Sequence, residues 1–238
     1  MMILAIIGCA QKLLGIVHQF QSMLKPETYR GSDIDLVFAQ IIRHGQEKGE
    51  GRSIRGWCGK SKREGGVSPM KVMLVQPPSG TPFMDKIYMY EPLALEYLGA
   101  GLKEDKHEVL LLDVRLDPDF ETAFRRFQPD AVGLTGYTNH LNIVKDMAIR
   151  FKEINPAVYI VVGGHHATVS PKDYNIEAID VVVIGEGVFT LKEVLKYWTA
   201  GLDLESIPGL AIPGREMKFT EERPHPPLDA LPFPDMNP

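Results

Sequence analysis

VYIVVGGHHATVSP, residues Val158 to Pro171, places five β-branched or aromatic residues in a row and then closes on two glycines and two histidines. An unbroken apolar run of strand length, with no polar alternation, suits a strand buried on both faces. Such strands belong to parallel sheets covered by helices on either side. Four similar runs recur: KVMLVQPP from Lys71, HEVLLLDV from His107, DAVGLTGY from Asp130 and DVVVIGEG from Asp180. Helix-length segments fill the gaps, among them PLALEYLGAGLKED, PDFETAFRRF and NIVKDMAIRFKEI, with FTLKEVLKYW following the last run. The segment after VSPKDYN is shorter. Right-handed crossovers then give a doubly wound, flavodoxin-like α/β fold with a parallel five-stranded sheet in the order 2-1-3-4-5.

Three unlike parts make up the 238 residues. Residues 1–69 read as a partly helical N-terminal extension. Ile3, Ile6, Ile7, Leu13, Leu14, Val17 and Leu24 share one helical face, and Asp33–Gln46 is a second helical candidate. Ile6-Ile7-Gly8-Cys9 loosely resembles a lipoprotein cleavage box, but no basic segment precedes it, and Lys12 and His18 interrupt the apolar stretch. Gly49 to Gly66 is Gly-rich and basic, a composition that buries little and reads as flexible. Residues 70–200 hold the alternating pattern. Residues 201–238 combine a hairpin around Pro213-Gly214 with a proline-dense connector, RPHPPLDALPFPDMNP.

A net charge of −5 offers no electrostatic footing for nucleic acid. Cys9 and Cys58 are the only cysteines, so a disulfide framework and a four-cysteine metal site are both ruled out. A cytoplasmic location, with no membrane partner, is the resulting expectation.

Ligands of doubly wound sheets bind at the carboxyl ends of the strands, next to the point where strand order reverses. That rule selects Gln76–Pro82, Thr135–His140, Gly163–Thr168 and Gly185–Thr190. Pro77 and Pro78 turn the chain sharply, Thr135, Tyr137 and Thr138 offer hydroxyls, and Gly163-Gly164 removes side chains. Gly185 and Gly187 do the same around the Glu186 carboxylate. Small residues at adjoining strand ends describe a broad, shallow platform. A nucleotide site would need a glycine-rich first loop, whereas QPPSGTPFMDK carries prolines and no GxGxxG. His165 and His166 are neighbours whose side chains diverge on an extended backbone, without acids or cysteines at metal-ligand spacing. No metal site is therefore expected.

VMLVQPP, EPLALEYLGAGLKEDKHEVLLLD, VGLTGYTNH, VVGGHHATVSP, VVVIGEGVFTLKEVL, IPGLAI and LDALPFP, in this order and spacing, resemble the cobalamin (B12)-binding domain of B12-dependent radical SAM enzymes. That group includes anaerobic magnesium-protoporphyrin monomethyl ester cyclases, methyltransferases and hopanoid-modifying enzymes. The resemblance covers about Met70 to Pro234. It implies cobalamin as cofactor, with Pro77 and Pro78 covering one face and Thr135, Gly136, Tyr137 and Thr138 lining the corrin or its tail. Gly163 and Gly164 would pass the nucleotide portion, with His165 and His166 beside them; His166 matches the histidine of the family's GGxHAT. Gly185, Glu186 and Gly187 would close the far side. Asp105-Lys106-His107 only superficially matches the DxHxxG that ligates cobalt elsewhere: Leu110 stands where glycine belongs, and the turn precedes the second strand. Cobalamin held without a protein histidine on cobalt is the expectation.

Plainer roles stand beside these. Glu186 suits a helix N-cap, His166 a structural hydrogen bond, and Tyr137 packing under the next helix. Radical SAM chemistry needs three thiolates in CxxxCxxC, and two distant cysteines hold no iron–sulfur cluster. The expectation is a stand-alone or truncated cobalamin-binding domain, not catalytic alone, with a radical SAM domain acting in trans. A cofactor-free interaction module, or a degenerate fragment, is the alternative. A receiver-like module is disfavoured by Gln76 and Thr135 where clustered acids would stand.

Overall fold

In the computed structural model, the described residues are 68–79, 85 and 89–235. The expectations for residues 1–67, and for Gly80–Pro82 of the first loop, lie outside them.

Five parallel strands form most of the sheet: β1 (Lys71–Gln76), β2 (Glu108–Asp113), β3 (Ala131–Thr135), β4 (Tyr159–Gly163) and β5 (Val181–Val183). Their order is β2-β1-β3-β4-β5, the doubly wound arrangement. Alternation along each strand divides an unbroken apolar run between two cores. In β1, Met73 and Val75 join Leu134, Phe151 and Val162 on one face. Val72 and Leu74 join Leu95, Val161 and Leu195 on the other.

Helices α1 (Leu93–Glu104) and α5 (Gly187–Ala200) cover the second face, while α2 (Phe120–Phe127) and α3 (Leu141–Ile154) cover the first. Their buried residues fall at helical spacing, as Val144, Met147, Ala148 and Phe151 do on α3. Asp119 starts α2 by accepting a hydrogen bond from the Thr122 amide at 3.1 Å. Gly201, at φ 66°, ends α5 in the left-handed conformation that glycine adopts without strain. Between β4 and β5 a short helix α4 (His165–Val169) and a 3-10 turn (Pro171–Tyr174) replace a full crossover helix.

Among the described residues the sheet has seven strands, two more than expected. The hairpin β6 (Leu210–Ile212) and β7 (Lys218–Phe219) does not stand apart; it pairs antiparallel onto β5. Only three residues long, β5 would otherwise expose an unpaired hydrogen-bonding edge. Leu210 and Ala211, both fully buried, seal it.

Tyr159 is buried, stacks on Trp198 with centroids 4.5 Å apart, and leaves its hydroxyl without a partner. Burial drives its ionisation far above the ordinary phenol range. Tyr159→Phe keeps the ring and removes the unsatisfied group. It is expected to raise the free energy of unfolding by about 1 kcal/mol in a denaturant titration; a loss of similar size would show that the hydroxyl is satisfied.

Candidate functional site

The three loops after β3, β4 and β5 are stitched into one rim. Thr135 and Gly163 are register partners at the ends of β3 and β4. Beyond them the His166 amide donates to the Gly136 carbonyl at 3.2 Å. Gly164 passes so close that an added Cβ would lie 2.5 Å from Thr135 Oγ1 and 3.0 Å from the Gly136 nitrogen. Its φ of 95° is also one that glycine alone takes readily. The Thr168 hydroxyl donates to the Gly164 carbonyl at 3.1 Å and accepts from the Gly185 amide at 3.0 Å, tying the fourth strand's loop to the fifth's.

What the rim offers is bare backbone. A Cβ on Gly163 would meet only Val183, at an ordinary 3.8 Å, and one on Gly185 would meet nothing within 4 Å. Tyr137 and Val169 are exposed, at 62% and 66%. The Tyr137 ring lies 5.8 Å from His140 and 6.2 Å from His165, an aromatic side to the platform.

The histidines have separate duties. Residues 165–169 form helix α4 where a loop on an extended backbone was expected: strand β4 ends at Gly163, and the His166 amide is captured by the Gly136 carbonyl of the neighbouring loop. Successive side chains are therefore turned about the helix axis: His165 faces out and His166 is buried. The His166 ring bridges Thr138 Oγ1 at 3.2 Å and Asp173 Oδ2 at 3.1 Å. His140, also buried, accepts from the Tyr137 amide through Nδ1 at 3.3 Å. Burial lowers its pKa.

The Glu186 carboxylate caps α5, accepting from the Gly187 and Val188 amides at 2.9 and 3.3 Å. Gly187 is a packing glycine, since its Cβ would stand 3.3 Å from Leu98. Pro77 is buried, and Pro78 lines an apolar cleft of about 410 Å³ with Val114, Phe120, Ile143 and Met147. That cleft adjoins the switch between β1 and β3 and draws in the loop after β2, which the four selected loops leave out. Arg115 forms one of its walls. It donates to Asp113 from Nε at 2.8 Å and to the Tyr90 carbonyl from Nη2 at 2.7 Å, and the Asp113 pairing raises its pKa. The alternating signs of DVRLDP were the available signal. Asp173, outside the four selected loops, and Thr168, inside one of them but not singled out, become relevant only through contacts made by helix α4.

A more open and polar groove of about 590 Å³ lies at the opposite edge, among Lys71, Lys106, Glu108 and Asp130. Strand amino ends are not where this fold binds ligands, so the smaller carboxyl-end cleft is the relevant one. His107 belongs to that opposite edge, buried and accepting from the Met70 amide through Nδ1 at 3.2 Å. Desolvation lowers its pKa. A depressed folded-state pKa means the unfolded chain binds the proton more readily. The stabilisation is thus complete above the unfolded value of about 6.5 and is lost as pH falls through that value toward the folded one. His107→Gln is expected to flatten the decline in thermal midpoint over that acidic window; an unaltered decline would assign it to other groups.

Among the described residues no group of three histidines, cysteines or acids could hold a metal ion, and no helix is long and apolar enough to cross a membrane. The rim itself offers unhindered glycine backbone at Gly163 and Gly185, with hydroxyls and the Tyr137 ring at its margin.

The B12 binding domain family model matches residues 88–195. An uncharacterized methyltransferase of Pyrococcus horikoshii is 33% identical over 175 residues, covering 69% of this chain and 38% of its own length. The hopanoid C-3 methylase of Methylococcus capsulatus is 29% identical over 149 residues, covering 59% of this chain and 28% of its own. The chain thus spans well under half of these relatives. In fold, it is similar to the cobalamin-dependent S-adenosylmethionine radical enzyme OxsB with aqua-cobalamin and S-adenosylmethionine bound. That match has a TM-score of 0.60 at 18% identity, over 72% of this chain and 25% of that one. It is also similar to the radical S-adenosylmethionine methyltransferase TsrM of Kitasatospora setae with cobalamin and a [4Fe-4S] cluster bound. There the TM-score is 0.56 at 20% identity, over 70% and 31% of the two chains.

Proposed function

The chain carries a B12-binding domain of the kind found in cobalamin-dependent radical SAM enzymes, and from that premise we propose that it seats a corrinoid on the glycine rim formed by the loops after β3, β4 and β5. The observation that carries this reading is the open backbone at Gly163 and Gly185, flanked by the Thr135–Thr138 hydroxyls. A corrin is broad and largely apolar, with amide arms around its edge, and such a rim lets it approach the sheet closely.

Thr135, Gly136, Tyr137 and Thr138 line one margin in this reading, and Gly163, Gly164 and His165 the centre. Gly185 lies at the far side, while Glu186 and Gly187 hold helix α5 in place behind it. Pro77 and Pro78 fix the exit of β1 beside the apolar cleft. His140 spends a ring nitrogen on its own loop, and His166 spends both of its nitrogens on Thr138 of the loop after β3 and Asp173 of the following turn. His165 contacts the cofactor without ligating cobalt.

When bound, the corrinoid supplies cobalt-centred group-transfer chemistry; this chain's residues bind it, orient it and shield one face. Cys9 and Cys58 are too few for a three-thiolate cluster. The S-adenosylmethionine-cleaving unit of a methyltransferase or cyclase is then supplied by polypeptide outside this sequence.

Mixing the protein with hydroxocobalamin, desalting and recording the visible spectrum tests the reading. About one equivalent retained is expected, with His165→Ala leaving the band positions unchanged. A colourless protein would favour the cofactor-free interaction module. A spectral shift in His165→Ala would assign that imidazole to cobalt.

A further inference from the structure

Beneath the rim, one side-chain chain links three segments: Asp173 in the 3-10 turn, His166 in α4 and Thr138 after β3. Asp173 Oδ2 lies 3.1 Å from His166 Nε2, and Thr138 Oγ1 lies 3.2 Å from Nδ1. The imidazole is 5% exposed and packs edge-on against Tyr174, at 5.6 Å between centroids and 77° between planes. That packing leaves the ring little freedom to turn.

A carboxylate only accepts hydrogen bonds. In the neutral imidazole, Nε2 must then carry the proton, because the other tautomer would set two lone pairs against each other at 3.1 Å. Nδ1 is left as an acceptor, and the Thr138 hydroxyl is the group that donates to it. With its one proton committed inward, the hydroxyl of Thr138, an exposed residue, has only lone pairs left to offer a ligand at the rim.

We propose that Asp173 is a positioning residue that, through His166, fixes the Thr138 hydroxyl as a hydrogen-bond acceptor at the rim. The site thereby selects amide N–H donors on the corrin periphery over carboxylates. The selectivity rests on the corrinoid reading above; the tautomer does not. A hydroxyl free to rotate would accept from an amide or donate to an acid with equal ease. A hydroxyl held by the relay repels a carboxylate oxygen.

Two measurements on the full chain separate these layers. Long-range proton–nitrogen NMR of the cofactor-free protein at about pH 8, where imidazole is ordinarily neutral, reads the tautomer of His166 directly. The expected pattern is a protonated Nε2 and a bare Nδ1, giving way to a tautomer mixture in Asp173→Asn. A doubly protonated ring, or a proton on Nδ1, overturns the relay.

Hydroxocobalamin and its singly hydrolysed monocarboxylates are then compared as ligands. The isomer whose acid meets Thr138 is expected to bind about tenfold more weakly, the scale of one hydrogen bond. Asp173→Asn and Thr138→Val are expected to erase that difference, and Thr138→Ser to restore it, with thermal midpoints checked to confirm folding. Equal binding of all monocarboxylates, or selectivity that survives Asp173→Asn, overturns the proposal. Wild-type protein that retains no cobalamin at all, yet shows the Nε2 proton, overturns the corrinoid reading while leaving the relay in place.

Discussion

Gly163→Trp is expected to abolish retention of hydroxocobalamin, weakening binding by roughly 100-fold or more through direct steric exclusion, while the protein stays folded. The separation of effects follows from local geometry. The first side-chain atom at this position meets only Val183, at 3.8 Å, an ordinary van der Waals contact. Gly163 is also the last residue of β4, paired with Thr135, so extended backbone suits any side chain there. An indole grown from that point occupies the space beyond the carboxyl end of β4 where the cofactor would sit. Gly163→Ala, adding one methyl group, is expected to retain most binding. Binding of wild-type strength by Gly163→Trp would mean that nothing sits over this strand end.

The adjacent residue should behave in the opposite way. Gly164→Ala is expected to lower the free energy of unfolding by about 2–4 kcal/mol, adding left-handed strain to a close clash. For a domain of this size that is a fall of roughly 5–15 °C in thermal midpoint. Three atoms oppose the new methyl group: Thr135 Oγ1 at 2.5 Å, the Gly136 nitrogen at 3.0 Å and the Gly136 oxygen at 3.2 Å. Two of the three are backbone, in a loop that the His166 amide already holds through the Gly136 carbonyl. Relief would require parting β3's loop from β4's. Gly185→Ala is the control, with φ 77° but nothing within 4 Å; it should cost about 1 kcal/mol, the strain alone. A loss of 1 kcal/mol or less for Gly164→Ala in thermal or denaturant unfolding would show that the two loops are not locked together.

That pair of glycines also marks how far sequence reading reaches. The strands were legible because a run such as Val158–Val162 states its burial locally, and the helices because their apolar spacing does the same. Strand order followed from handedness rules needing no knowledge of partners. The seven-stranded sheet did not follow, because the attachment of Leu210–Ile212 to Val181–Val183 is a long-range choice driven by an exposed edge. Gly163 and Gly164 are the same letter in the sequence, yet a side chain on one would meet only Val183 at an ordinary 3.8 Å and on the other a hydroxyl 2.5 Å away. His165 and His166 likewise differ only through α4, which turns one outward and delivers the other to Asp173. Arg115 was missed because the switch-point rule drew attention to the loops after β1, β3, β4 and β5, whereas the cleft also uses the loop after β2.

Amide hydrogen exchange, with and without one equivalent of hydroxocobalamin, is the most direct measurement of where the cofactor sits. Slowed exchange is expected at residues 135–140, 163–168 and 185–190, with no change at the opposite edge around Lys71, Lys106 and Asp130. Protection confined to that opposite edge, or spread evenly over the chain, would contradict a corrinoid seated on the glycine rim.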